Sequence, residues 1–141
     1  MDQFIVFLKN HWALWLAFFV ILGAIAFEES RKNIKGVMRI APKDAVDLIN
    51  QENVVIIDLR DQHAFNSGHI IDSVHVPASD YDLILKKAGH DKNKNIIFLG
   101  KDEVSVIGIG SKLRQSGFTK LYVISGGIVA WKNASLPLTK K

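Results

Sequence analysis

Two runs in this chain, Val54-Val55-Ile56-Ile57-Asp58 and Asn95-Ile96-Ile97-Phe98-Leu99, are apolar at successive positions rather than at alternate ones. A strand of that kind has no solvent side, so its sheet must be covered on both faces, as parallel sheets are. Further short runs at Met38-Arg39-Ile40, Val74-His75-Val76 and Leu121-Tyr122-Val123-Ile124 read as strands. Helical stretches lie between them: Pro42 to about Asn50, Tyr81 to Ala88 before Gly89, Glu103 to Ser116 before Gly117, and Ile128 to Lys132 after the Gly126-Gly127 turn. A short segment around His63-Ala64-Phe65 is broken at Ser67-Gly68, and Leu136-Pro137-Leu138 forms the tail. Strand and helix alternate throughout, which predicts an open parallel α/β sheet with its ligand crevice beyond the carboxyl ends of the strands.

Asn95 to Ser105 carries that crevice. It reads as a buried strand, a turn at Gly100 and a helix led by acids. Such a junction aims backbone N–H groups and the positive end of a helix dipole at one point. The loop Gly100, Lys101, Asp102, Glu103, Val104 and Ser105 holds one cation, two carboxylates and no strong nucleophile. Ser105 lacks the local signature of an activated hydroxyl and reads as a capping residue or as solvated helix surface. The chain contains no cysteine, which excludes disulfides, thiolate metal sites and cysteine-based reactions. His63, His69 and His75 recur at a spacing that matches no helical face or common ligand set, so no metal site and no cofactor are expected. Gly108 and Gly110 are expected to let their helix pack closely on the sheet.

Charge sets further bounds. The net charge is +4, but five cations and three acids precede residue 40, leaving +2 on the remainder. A nearly balanced domain with no basic stripe is a poor match to nucleic acid. Trp12 to Phe27 contains no polar side chain and would extend about 24 Å as a helix, against a bilayer core of about 30 Å. Lys9 and the Glu28 end, with snorkelling, close the gap, and Trp12 and Trp15 stand where interfacial aromatics sit. This predicts one N-terminal transmembrane helix. The cluster Arg31, Lys32, Lys35 and Arg39 places the following domain on the cytoplasmic face. A cleaved signal peptide at Ala24-Ile25-Ala26, with a periplasmic domain, is the alternative. The expected organisation is a membrane anchor over 1–30, a basic linker over 31–39 and a domain over 40–141, with Asn33 to Gly36 a short linker.

The run Asp58-Leu59-Arg60 through Phe65, Gly68-His69-Ile70 and Pro77 resembles the first signature of the rhodanese homology domain. Gly126-Gly127-Ile128-Val129-Ala130-Trp131 followed by Leu136-Pro137 resembles the second. With Gly117-Phe118 between them, the resemblance spans residue 40 onward, and the preceding apolar segment is similar to that of membrane-anchored bacterial members. It implies a doubly wound sheet of five parallel strands, with Asp58, Arg60, Gly68, His69, Gly126, Gly127 and Trp131 as signature positions of structural weight. Active members of the family carry sulfane sulfur on a cysteine after the fourth strand, helped by an arginine five positions on. Counting back from Gly117 puts Gly100 at the cysteine position and Ser105 at the arginine position. The resemblance therefore implies a catalytically silent module at the inner membrane that acts as a binding or scaffolding domain for a membrane or cytoplasmic protein. The alternative is a sulfane-sulfur or anion-binding domain that works with a thiol supplied by a partner.

Overall fold

In the computed structural model the described residues are 1–34, 36–51 and 53–140, with residues 29–34 described by their backbone alone. The chain divides into two units, Met1–Lys32 and Asn33–Lys141.

The first unit is a pair of helices, α1 (Asp2–Asn10) and α2 (Trp12–Lys32). His11 ends α1, its N–H donating to Phe7, and its φ of −118° and ψ of 25° interrupt the helical ladder. The span expected over Trp12 to Phe27 lies within α2, and α1 precedes it across a bend of 68°. No single described helix is long and apolar enough to cross a membrane; the bent pair Asp2–Asn10 and Trp12–Glu28 meets that length and composition together. The polar cluster Lys9-Asn10-His11 is the sequence signal for the break.

The second unit is built on a sheet of order β1-β2-β6-β5-β3-β4. Its strands are β1 (Asn33–Ile34), β2 (Val37–Ile40), β3 (Val54–Asp58), β4 (Val74–His75), β5 (Asn95–Leu99) and β6 (Leu121–Ile124). The five strands from β2 to β6 are mutually parallel. β1 is an addition, pairing antiparallel with β2 through Asn33↔Met38 and Ile34↔Val37. The segment expected as a linker therefore contains the end of α2, a two-residue strand and most of β2. Gly36, at a φ of +81°, serves the reversal between those strands, while Lys35 of the predicted cation cluster lies outside the described residues.

Five helices complete this unit: α3 (Pro42–Ile49), α4 (Gln62–Ser67), α5 (Tyr81–Ala88), α6 (Glu103–Gln115) and α7 (Gly127–Asn133). Successive side chains of a strand point to opposite faces, and β5 divides accordingly. Ile96 and Phe98 enter a core with Ile84 and Ala88 of α5 and Val106 and Leu113 of α6. Ile97 and Leu99 enter a second core with Ala45 of α3, Trp131 of α7 and the tail residues Leu136 and Leu138. This two-sided burial is why β3 and β5 lack alternation. Gly110 meets its expected role, since a Cβ there would overlap Val37. Gly108 does not: it is exposed with open space beside it, on the far side of α6 from the sheet.

Candidate functional site

In sheet order β3 and β5 are neighbours, yet the chain leaves β3 toward β4 on one side and β5 toward β6 on the other. Open α/β sheets bind ligands at such a reversal. The turns after β3, β5 and β6 enclose a cleft of about 440 Å³ there. Arg60, Asp61 and Ala64 come from the first turn, Gly100 to Glu103 from the second, and Gly126 to Val129 from the third. Val106, Val123 and Ile124 also line it, giving the cleft an apolar contribution beneath its charged loops.

The turn after β3 is held by a buried ion pair. Asp58 Oδ1 accepts from the Arg60 backbone N–H at 3.0 Å and from Arg60 Nε at 3.0 Å, while Asp58 Oδ2 accepts from Arg60 Nη2 at 2.7 Å. Arg60 Nη2 also donates to the Gly68 carbonyl at 2.8 Å. Asp58 is fully buried and Arg60 nearly so, and a buried charge requires this degree of pairing. Asp58 and Arg60 thus hold the turn locally. Asp61 caps α4 by accepting from the Ala64 N–H at 2.8 Å. That hydrogen bond, helped by the nearby charges of His63, Lys101 and Arg60, holds its carboxyl below the ordinary aspartate value. The Asp61-to-Ala64 spacing is a recognisable cap signal that marks the short segment as a helix.

His69 stacks on Phe65 with ring centroids 3.9 Å apart, and its Nδ1–H donates to the Phe65 carbonyl at 2.8 Å. Its backbone exchanges two 2.8 Å hydrogen bonds with Thr139, fastening the tail. His75 Nε2–H donates to the Arg60 carbonyl at 2.7 Å. Trp131 Nε1–H donates to the Pro137 carbonyl at 3.0 Å, while its ring fills the core. His69, His75 and Trp131 therefore hold backbone in place, away from the mouth of the cleft.

The turn after β5 is organised by its carboxylates. Asp102 caps α6: Oδ1 accepts from the Ser105 N–H at 2.8 Å and Oδ2 from the Ser105 hydroxyl at 3.0 Å. Those two hydrogen bonds, with Lys101 nearby, hold the Asp102 carboxyl below its ordinary value. The Ser105 hydroxyl is engaged in the cap. Glu103 Oε1 accepts from the Gly126 N–H at 3.3 Å, and Glu103 Oε2 lies 2.8 Å from Arg39 Nε. That Nε is buried and its N–H is not aligned on an acceptor, so the contact is an ion pair by proximity. The Glu103 carboxylate consequently engages a backbone donor of the third turn and a cation from β2. Arg39, expected as part of a membrane-flanking cluster, faces Glu103 because β2 pairs with β6, whose following turn borders the cleft.

Gly126 and Gly127 have φ of +77° and +59°, the left-handed region that glycine enters without strain. Gly100 is different. Its φ lies outside that region, but a Cβ at this position would overlap Val106 Cγ2. Gly100, Lys101, Asp102 and Glu103 line the cleft, whereas Val104 does not and is 81% exposed. Val106 and Arg39 were not among the expected site residues. No local pattern marks them, because one enters from the second turn of α6 and the other from a distant strand.

Residues 41–134 match the model of the rhodanese-like domain. The uncharacterized protein BU052 of Buchnera aphidicola from Acyrthosiphon pisum is 30% identical over 98% of this chain and 96% of its own length. The uncharacterized protein YibN of Escherichia coli K12 is 26% identical over 99% of each chain. Among solved structures, the homodimeric polysulfide-sulfur transferase of Wolinella succinogenes superimposes with a TM-score of 0.65 at 24% identity, covering 84% of this chain and 90% of that one. At that identity the structural match speaks for the fold alone. Matched over 41–134, with the paired turns of the family around its cleft, this chain belongs to the rhodanese-like domain family, which relates it to sulfurtransferases.

Proposed function

We propose that this protein is a non-catalytic rhodanese-like module, tethered to the inner membrane by its N-terminal helices, that binds another membrane or cytoplasmic protein through its cleft at the cytoplasmic face. The observation that carries the reading is Gly100, which places no nucleophilic atom at the focus of the loop in a chain without cysteine. Transfer of sulfane sulfur through an enzyme persulfide requires a thiolate that attacks the outer sulfur of the donor, and neither Lys101 nor the capping Ser105 supplies that atom. Glu103 reinforces the reading, because its carboxylate engages the Gly126 N–H at the cleft and is itself paired with Arg39. Asp61 and Asp102 add negative charge at the rim, which disfavours thiosulfate. The exposed Val104 beside this loop, and the exposed Val129 on its wall, give a protein partner apolar contact area.

The test uses the full chain in detergent. Thiosulfate and cyanide should give no thiocyanate above the protein-free rate, and turnover by the unaltered chain would sink the reading. For the binding half, a photocrosslinking residue at Lys101 or Val129, both on the cleft, should give one discrete adduct in native membranes, with none from the same residue at Lys87 on α5. Identical adduct patterns at all three positions would remove the case for the cleft.

A further inference from the structure

Gly100 is glycine for a steric reason rather than a conformational one. Its φ is not in the left-handed region, so its backbone would accept a side chain; the obstacle is Val106 Cγ2, which stands where the Cβ would be. We infer that Val106 excludes a side chain, and with it any nucleophile, from position 100, so that reactivity there requires two changes: Gly100→Cys and the truncation of Val106. This inference rests on the proposed non-catalytic reading and gives it a second cause.

Three observations keep Val106 from moving aside. It lies in the second turn of α6, where a valine side chain has one strongly preferred χ1 rotamer because its branches press on the preceding turn. It is 1% exposed and packs in the core shared by Phe98, Leu113 and Val123, so swinging a methyl away drives it into occupied space. The start of α6 is also tied to neighbouring elements, by Glu103 on Gly126 and Arg39. The helix therefore does not withdraw freely from the loop. Replacing only Gly100 inserts atoms between a fixed strand end and a fixed helix.

The chemistry that the pair of changes would restore is balanced without further reagents. A thiolate at position 100 attacks the outer sulfur of thiosulfate, the sulfur–sulfur bond of thiosulfate breaks, and sulfite leaves with that bonding pair. The protein retains a persulfide, and the total charge is unchanged.

The experiment is a double-mutant cycle on the full chain: wild type, Gly100→Cys, Val106→Ala and the double variant. Because the chain has no other cysteine, every thiol signal reports on position 100. Val106→Ala should lower stability to urea in the wild-type background and raise it in the Gly100→Cys background. The double variant should react with a disulfide reagent about tenfold faster than Gly100→Cys alone, within the range of couplings measured between touching side chains. With thiosulfate it should gain the mass of one sulfur atom. Equal stability costs of Val106→Ala in both backgrounds, or a Gly100→Cys variant as stable as wild type and as reactive as the double variant, would overturn the inference. Should the thiol variants fail to fold, the cycle of Gly100→Ala with Val106→Ala reads the same contact, and absence of the sign reversal there also overturns it. Sulfur transfer by the wild type would defeat the proposed function and leave this coupling intact, so the two failures are distinguishable.

Discussion

The turns after β3 and β5 leave adjacent parallel strands at the same edge of the same cleft, yet they are held together differently. The first depends on charge buried in the protein: Asp58 and Arg60 satisfy one another and Gly68 with little exposure to water. The second depends on carboxylates near the surface, Asp102 capping a helix and Glu103 reaching across to the third turn. One is a piece of the folding machinery that borders the cleft. The other is the part of the cleft free to change, because little of the fold hangs on its polar side chains. A family fold can therefore persist while the loop that carries its chemistry is rebuilt.

The contrast predicts unequal consequences. Asp58→Ala leaves Arg60 buried without its counter-charge and should cost about 3–5 kcal/mol in urea unfolding; a loss under 1 kcal/mol would make the two turns energetically alike. Gly126→Ala imposes left-handed backbone on a residue with a Cβ and brings that atom to 2.7 Å from Ala130, so about 1–3 kcal/mol should be lost. Glu103→Gln keeps the acceptor for Gly126 and removes a partly exposed ion pair, for a change of at most about 1 kcal/mol. A larger loss would move the second turn into the structural class of the first.

The smallest effect is a pH dependence. Asp102 has its folded value lowered by its hydrogen bonds to Ser105 from an ordinary 3.8, so the cap contributes fully above that value and is lost as pH falls through the lowered one. Wild type should therefore lose more stability than Asp102→Asn between about pH 5 and about pH 3, since asparagine caps without titrating. Equal slopes in thermal melts across that window would show that the charge of Asp102 contributes nothing to folding.

Much of this architecture is legible along the chain, because the information is local. Continuous apolar runs mark β3 and β5, Gly89 and Gly117 follow α5 and α6 closely, and Asp58, Arg60, Gly68 and His69 recur in one compact run. The loop's loss of a cysteine is legible in the same way. The antiparallel β1 is not, since two residues carry no periodicity and gain their definition only by pairing with β2. The open environment of Gly108 and the tight one of Gly110 are also indistinguishable by composition. Two positions along a helix amount to about 200° of rotation, which turns one toward the sheet and the other toward solvent.

The sequence by itself determined the class of fold, the order of its elements, the place of the cleft and the absence of a thiol, because hydrophobic period, turn residues and residue identity act over a few neighbours. Only the tertiary structure decided that Arg39 faces Glu103 and that Val106 stands where a side chain of residue 100 would be. Those outcomes are set by where elements meet in space, and packing leaves two atoms unable to share one position whatever their distance along the chain.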